Sequence, residues 1–156
     1  MLRDPSPGAA THETVTFVDF EYAGYNPRGF DLGNYFCEMA MDNGCDGLPW
    51  PGFCMDPGAY PSAAQRARLL RAYARAAGLL QDPTSGGVTE AEVVAGLRAE
   101  ADAFMMASHL RWALWAACMS AAPATDEFGY LEYGLARLGQ YYALKAAAVA
   151  TDAETA

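Results

Sequence analysis

Hydrophobic and polar side chains alternate with a period of two over residues 15–22, which predicts a strand or one arm of a hairpin. The turn-forming string "GYNPRG" follows, and Asp31 can then cap a helix from residue 32 to about residue 42. Residues 43–60 hold four glycines and three prolines, so they predict a long irregular surface loop. The front of the chain therefore predicts one small β element, one helix and one loop.

Two capping boxes mark the starts of longer helices farther along the chain. Ser62 with Gln65 begins one helix and Thr89 with Glu92 begins another, because in each pair the two side chains bond each other's backbone N–H groups. The string "QDPTSGG" and Pro123 interrupt the helical pattern. The predicted helices run to about residue 80, to about residue 121, and from about residue 126 to residue 150.

These elements predict one mainly helical domain, α+β overall, with a short β element at its N-terminus. Residues 1–14, rich in Pro, Gly, Ser and Thr, are predicted to be a loose lead-in, residues 15–150 the domain, and residues 151–156 a frayed tail. Four arginines fall mostly on one side of the first capped helix and predict a solvated face: Arg66, Arg68, Arg71 and Arg75.

The composition bounds the partners and the compartment. A net charge of −9 disfavours nucleic acid, because phosphate binding needs clustered Lys and Arg, and it suits a cationic small molecule or a divalent metal, although acidity also serves solubility alone. The four cysteines lack CxxC spacing, which argues against a zinc site and predicts free, mostly buried thiols. No signal peptide is visible, and the most apolar stretch carries His109 and Arg111, which favours a buried helix over a transmembrane segment. We therefore expect a cytoplasmic protein.

Two acids, Asp19 and Glu21, occupy alternate positions of the predicted strand. On a strand such residues project to the same face, roughly 6.6–6.8 Å apart. Neighbouring carboxylates repel each other unless a positive charge lies nearby, and Mg²⁺ with phosphate oxygens is a common solution. Exposed acids on a solvated strand face give the same pattern, so the spacing alone leaves both readings open.

Three strings in a fixed order carry a resemblance to a known family: "VDFEYAGYNPRGFDLGNYFCEMA", "ASHLRWALW" and "EFGYLEYGLARL". Together they resemble the choline/ethanolamine kinase family over about residues 15–149. The implied fold is the C-terminal helical lobe of a protein-kinase-like phosphotransferase. The implied reaction is the transfer of the γ-phosphate of ATP, with Mg²⁺, to choline or ethanolamine. The resemblance also allows a homodimer.

The resemblance implies roles for four acids. Asp19 takes the place of the family's metal-binding acid, the counterpart of the aspartate in the DFG motif of protein kinases, and Glu21 lies near enough to reach a second Mg²⁺. Asp31 matches an acid that braces the catalytic loop, a role that is compatible with helix capping. Glu38 matches an acid that lines the substrate pocket.

The resemblance further implies that Trp112, Trp115 and Tyr133 form a cage for a quaternary ammonium, with Glu38 supplying negative charge. A methylated nitrogen cannot donate hydrogen bonds, so a site must attract it through ring faces and a nearby carboxylate. Trp112 and Trp115 lie three residues apart and can present neighbouring ring faces on one helix. Aromatic residues at this spacing are also common in packed cores, which is the alternative reading of the spacing alone.

The family's catalytic loop, whose H-N-D string supplies the base, has no counterpart in this sequence, and neither has the N-terminal lobe that holds the ATP phosphates. We therefore expect a fragment of a choline kinase, inactive by itself, from an enzyme that forms phosphocholine for phosphatidylcholine synthesis. Cys37 before Glu38 resembles the choline branch, whereas Asn43 stands where the animal choline kinases have a pocket tyrosine. The alternatives are an ethanolamine or dual-specificity kinase fragment and a catalytically inactive amine-binding or partner-binding module.

Overall fold

Four α-helices form most of the protein in the computed structural model, which describes residues 2–3, 15–43, 48–80, 87–121 and 128–155. The helices are Arg28–Glu38 (α1), Ala63–Ala76 (α2), Glu90–Ser120 (α3) and Tyr130–Thr155 (α4). Two antiparallel ladders pair Leu2–Arg3 (β1) with Val15–Thr16 (β2), and Met41–Asp42 (β3) with Cys54–Met55 (β4). A 3₁₀ turn over Pro57–Ala59 follows β4. The predicted mainly helical fold with a small β element at its front is confirmed.

The long helix α3 lies at the centre of the fold, and α1, α2 and α4 each pack on it. Its pairing with α4 is antiparallel, because Trp115 late in α3 contacts Tyr130 at the start of α4, whereas His109 lies beside Arg137. Burial of apolar side chains between α1, α2 and α3 holds these three helices together. That core consists of Leu32, Phe36, Cys37, Leu70, Ala74, Val94, Leu97, Ala101 and Met105.

Both predicted capping boxes are present. The backbone N–H of Ser62 donates to Gln65 Oε1 at 2.8 Å, and the Ser62 hydroxyl accepts from the Gln65 N–H. Thr89 and Glu92 repeat this arrangement at the start of α3, with the Thr89 N–H donating to Glu92 Oε2 at 2.8 Å. Each N-cap stabilises its helix by about 1 kcal/mol, because N–H groups that would otherwise be unpaired find acceptors.

The solvated face predicted for the arginines of α2 is confirmed for Arg68, Arg71 and Arg75, which are exposed. Three of the four arginines also pair with acids of α3. The Arg66 side chain is only 18% exposed and donates to Asp102 at 2.6 Å. Arg71 and Arg75 both pair with Glu90, at 2.9 and 3.2 Å. These ion pairs fix α2 against two separate turns of α3.

The strand predicted over residues 15–22 is wrong beyond Thr16. In the described residues, pairing with β1 covers only Val15–Thr16, and the Ala23 N–H donates to the Phe20 carbonyl in a turn at 3.0 Å. Asp19 has a φ of +66°, the left-handed conformation, which breaks the two-residue alternation. Asp19 and Glu21 therefore do not share the face of a strand.

Helix α1 begins at Arg28 rather than at residue 32, and it ends at Glu38 rather than near residue 42. Pro27 precedes the helix with a φ of −55°, which suits a helix start, so Asp31 lies in the first turn and does not cap the helix. The chain leaves the helix after Glu38 because Met41–Asp42 pairs with β4. This ladder and the 3₁₀ turn replace part of the irregular loop predicted over residues 43–60.

Two other helix ends also differ from the prediction. Helix α2 ends at Ala76, before Gly78, whose φ of +66° is the left-handed conformation that commonly follows a helix. Helix α4 continues through Thr155, where a frayed tail was predicted from residue 151, because this alanine-rich segment contains neither Gly nor Pro. Leu2–Arg3 forms a strand within the predicted loose lead-in. Pro123 and all of the predicted "QDPTSGG" interruption except Gly87 lie outside the described residues.

Three described cysteines are free thiols, and only one of them is buried. Cys37 is in the core, where burial raises its pKa to about 12, whereas Cys54 and Cys118 are exposed. The prediction of mostly buried cysteines is thus wrong for these two. Within the described residues, every helix is too short or too polar to cross a membrane.

Candidate functional site

A pocket of about 410 Å³ lies where the end of α1 approaches the C-terminal part of α3 and the start of α4. This volume is in the usual range for a small-molecule site. Five residues predicted to belong to the functional site line it: Asp19, Glu38, Trp112, Trp115 and Tyr133. The lining also includes Tyr22, Asn43, Phe128 and Tyr130. The fold therefore brings together side chains from the front, the middle and the end of the chain.

Aromatic rings at steep angles to each other form the wall of this pocket. The ring centroids of Trp112 and Trp115 lie 5.5 Å apart with planes at 82°, and those of Trp115 and Tyr133 lie 6.1 Å apart at 75°. Tyr130 adds a further edge-to-face contact with Trp115 at 5.6 Å. Such contacts are favourable by about 0.5–1.5 kcal/mol each, so they help to hold these rings in this arrangement.

Hydrogen bonds fix the orientation of both indoles. The Trp112 N–H donates to Asn34 Oδ1 at 2.8 Å, and the Ser108 hydroxyl donates to the same oxygen at 2.8 Å. The Trp115 N–H donates to the Tyr22 hydroxyl at 3.1 Å. Because the polar edge of each indole already has a partner, what each ring can still offer to a ligand is its π face.

Protein cations already lie over two of the three predicted cage rings. The Arg111 guanidinium lies 4.7 Å from the Trp112 ring centroid, and the Arg137 guanidinium lies 5.0 Å from that of Tyr133. Among the described residues, no such cation lies over Trp115. Trp115 is therefore the ring best placed to receive a cationic ligand.

Glu38 is paired with a buried cation that the sequence analysis missed. Arg137 Nη2 donates to Glu38 Oε1 at 2.5 Å, and Arg137 also donates to the Tyr133 hydroxyl oxygen from Nε at 3.0 Å and from Nη2 at 2.7 Å. Arg137 is 0% exposed. Burial lowers the pKa of Arg137, but Glu38 and Tyr133 more than offset this effect, so its pKa is raised and the guanidinium stays charged.

A chain of hydrogen bonds continues behind the pocket from Arg137. Its Nη1 lies 3.5 Å from His109 Nδ1, and His109 Nε2 lies 2.8 Å from the Tyr60 hydroxyl. Because a guanidinium can only donate, Nδ1 must accept, and Nε2 then carries the proton. Tyr60 in turn donates to Gln140 at 3.4 Å. Burial, followed by the charge of Arg137, lowers the pKa of His109 to about 4, so the imidazole is neutral at pH 7.

The two front acids lie in different surroundings. Both side chains are exposed, but Asp19 lines the pocket and Glu21 does not belong to the lining. Across the described residues, no group of three or more His, Cys, Asp or Glu side chains could hold a metal ion. Mg²⁺ is commonly held by only one or two carboxylates together with substrate phosphates and water, and Asp19 in the pocket fits that pattern.

The choline/ethanolamine kinase family model matches residues 8–142, which is most of the chain and includes all of the predicted site residues. The chain belongs to this family. The resemblance that the three sequence strings carry is thereby confirmed.

Curated members of the family show the same relationship. The chain is 35% identical to a choline/ethanolamine kinase of Homo sapiens over 133 residues, which cover 85% of the chain and 32% of that relative. It is 36% identical to probable ethanolamine kinase A of Dictyostelium discoideum, covering 91% of the chain and 34% of that protein. With probable choline kinase 1 of Arabidopsis thaliana it shares 30% identity, over 84% of the chain and 34% of the relative. The chain thus spans about a third of the length of these relatives.

A solved structure confirms the predicted kinase-like fold. The crystal structure of choline kinase from Cryptosporidium parvum Iowa II superposes with a TM-score of 0.73 at 23% sequence identity. The match covers 93% of this chain and 36% of that one.

Like Glu21, one further predicted site residue lies outside the pocket, and two residues at or behind the pocket were not predicted. Asp31 is exposed and lies outside the pocket, so its role in bracing a catalytic loop stays a prediction. Tyr130 and Arg137 were missed, although both flank Tyr133 at helical spacing in "YLEYGLAR". Residues three or four positions apart lie on the same side of a helix, and that spacing was the available signal.

Proposed function

We propose that this chain carries the amine-binding pocket and the metal-binding acid of a cytoplasmic, ATP-dependent choline kinase. The reaction is the transfer of the γ-phosphate of ATP to the hydroxyl of choline, and phosphocholine serves phosphatidylcholine synthesis. The single observation that carries this proposal is the pocket in which Trp115 and its aromatic neighbours lie beside the carboxylates of Asp19 and Glu38.

The chemistry of the pocket favours a quaternary ammonium. Choline presents methyl groups that bear a diffuse positive charge, and such a cation gains about 0.5–2 kcal/mol from each ring face that it contacts. Glu38 already accepts a hydrogen bond from Arg137, so part of its charge is neutralised within the protein. Ring faces, with Trp115 foremost, therefore supply most of the specific attraction.

Ethanolamine is the second candidate substrate. Its primary ammonium needs hydrogen-bond acceptors, and the pocket offers the carboxylate of Asp19 and the side-chain amide oxygen of Asn43. Asn43 replaces the tyrosine that the resemblance to animal choline kinases leads one to expect, which removes one aromatic surface. We rank choline first because aromatic rings outnumber acceptors in the lining.

Asp19 is proposed to hold Mg²⁺, with Glu21 reaching a second ion. Bound Mg²⁺ would neutralise negative charge on the nucleotide phosphates. The left-handed backbone of Asp19 has a conformational cost of roughly 1 kcal/mol for a residue with a Cβ, although aspartate tolerates it better than most. Such a cost at a pocket residue is typical of functional positions.

The proposal assigns binding, rather than the complete reaction, to these 156 residues. The H-N-D string that supplies the base in the family does not occur in the sequence. We therefore expect the polypeptide to bind choline without consuming ATP. The alternative of a catalytically inactive amine-binding module predicts the same behaviour for these residues, and both differ from a partner-binding module, which would bind no amine.

Calorimetric titration of the 156-residue chain tests the proposal. Choline, ethanolamine and 3,3-dimethylbutan-1-ol are compared, because the last compound has the shape of choline without its charge. We expect choline to bind about tenfold or more tightly than the neutral alcohol, given the cation–π contribution. Equal affinity for choline and the alcohol, or no binding of either, would contradict the proposal, and tighter binding of ethanolamine would establish the second candidate.

A further inference from the structure

Arg137 is the most completely buried charged side chain among the described residues, and two of its partners, Glu38 and Tyr133, line the amine pocket. Burying an arginine is costly unless hydrogen bonds and an opposite charge compensate. Arg137 meets both conditions through Glu38 at 2.5 Å and the Tyr133 hydroxyl at 2.7 and 3.0 Å. An arginine held in this way fixes the positions of its hydrogen-bond partners, because its planar guanidinium presents donors in fixed directions.

The partners of Arg137 belong to three different helices. Glu38 is the last residue of α1, Tyr133 is in the first turn of α4, and His109 is in α3. The C-terminal end of a helix carries partial negative charge, so an acid such as Glu38 is unfavourable there without a cation. The guanidinium supplies that cation and ties the end of α1 to the start of α4.

We propose that Arg137 is a positioning residue of the amine pocket, which sets the Tyr133 ring and the Glu38 carboxylate in one fixed relation to Trp115. This inference rests on the proposed amine-binding function and adds to it a residue that does not line the pocket. Arg137 contacts no ligand itself. It acts by donating hydrogen bonds to the Tyr133 hydroxyl, and the ring centroid of Tyr133 lies 6.1 Å from that of Trp115.

Lysine cannot take over this role. A lysine ammonium keeps the charge but is a point donor on a flexible stem, so it cannot donate to Tyr133 and Glu38 in the directions that the guanidinium fixes. Arg137→Lys therefore keeps the positive charge and removes the fixed hydrogen-bond directions, so it tests the two contributions separately. Arg66→Lys is the matched control, because Arg66 is also largely buried and ion-paired, with Asp102, but none of its bonded or ring partners lines the amine pocket.

Tetramethylammonium is the probe for the experiment, since it has no group that can hydrogen bond. We expect Arg137→Lys and Tyr133→Phe each to weaken its binding by about tenfold, because each change frees the Tyr133 ring. The double variant should be little weaker than either single one, since both act through the same contact. Arg66→Lys should bind like the unchanged protein. Multiplying effects in the double variant, or unchanged binding in Tyr133→Phe, would overturn the positioning role.

A second measurement keeps the inference testable if Arg137→Lys does not fold or if the unchanged protein binds no amine. Acrylamide quenching of tryptophan fluorescence, without ligand, reports how well the neighbouring rings cover Trp112 and Trp115 when every protein compared also carries Trp50→Phe, because Trp50 is 61% exposed and would otherwise dominate the signal. Tyr133→Phe keeps the ring and should still increase quenching, because the ring loses its hydrogen bonds to Arg137. If the unchanged protein binds no amine but quenching rises, the proposed function fails and the positioning role stands. If quenching does not change, the positioning role fails whatever the amine affinity.

Discussion

A Cβ atom placed on Gly33 of α1 would lie 2.7 Å from the Ala101 carbonyl oxygen of α3. The next nearest atoms, the backbone nitrogen of Met105 at 2.8 Å and the carbonyl carbon of Phe104 at 3.0 Å, are also main chain and cannot turn aside. Helix α1 therefore approaches α3 at a distance that only glycine permits. This approach carries Glu38, five residues farther along α1, to the pocket that α3 and α4 form.

Gly33→Ala should lower the free energy of unfolding by about 1–3 kcal/mol, because the added methyl group forces two helix backbones apart. Gly96→Ala in α3 is the matched control, since a Cβ there meets nothing within 4 Å and alanine favours helix by about 0.5–1 kcal/mol. Urea unfolding of both variants measures the difference. A Gly33→Ala protein as stable as the original would show that the helices do not need this close contact.

Asp19→Asn should weaken the binding of Mn²⁺, used as a paramagnetic substitute for Mg²⁺, by about tenfold or more, because an amide is a poorer metal ligand than a carboxylate. Asparagine tolerates the left-handed backbone that Asp19 adopts, so the stability of the fold should not change. Glu21→Gln should have a smaller effect, since Glu21 does not line the pocket.

Asp31→Asn is the control for this metal titration, because it removes the same charge from an exposed position outside the pocket. Electron paramagnetic resonance of free Mn²⁺ gives the affinity of each variant. Equal losses in all three variants would mean that only the net charge matters, and no loss in Asp19→Asn would remove this residue from the metal site.

His109 should make the protein less stable as the pH falls from 6.5 toward 4. Its folded pKa of about 4 lies below the ordinary value of 6.5, so between these values the unfolded chain binds more protons and acid favours unfolding. The stability that comes from keeping His109 neutral in the folded protein is fully present above pH 6.5 and is lost by pH 4. Between pH 7 and pH 5 the loss is about 2 kcal/mol.

His109→Asn is the variant that isolates this effect, because its amide oxygen can accept from Arg137 near the position of Nδ1 but cannot titrate. Chemical unfolding at pH 7 and pH 5 should show a clearly smaller loss of stability in the variant than in the original protein. Identical losses would assign the pH dependence to other groups.

Local signals in the sequence predicted local structure well. The capping boxes at Ser62 and Thr89 were predictable because each involves residues three positions apart. The early end of α1 was not, since it depends on the pairing of Met41–Asp42 with a strand farther along the chain. The left-handed Asp19 was also missed, because alternation of polar and apolar residues does not report backbone handedness.

In the candidate site, too, local features were predictable and contacts between distant residues were not. Trp112 and Trp115 could be named because they lie three residues apart within a string that resembles the family. The pairing of Arg137 with Glu38 could not be predicted, since the two residues are 99 positions apart and a buried arginine is the reverse of what polarity predicts. The part of the site that depends on helix packing therefore emerges only from the structure.

The most direct test of the account is the affinity for choline when Trp115 is replaced by leucine. Leucine fills most of the space without a π face, so the variant separates cation binding from core packing. Tyr142→Leu in α4 is the control, because Tyr142 is 62% exposed and is not part of the pocket lining. Calorimetry on the 156-residue chain should show choline bound about tenfold or more weakly by Trp115→Leu, with Tyr142→Leu unchanged and both variants folded. Unchanged choline affinity in a folded Trp115→Leu protein would contradict the amine pocket and assign this ring to the core.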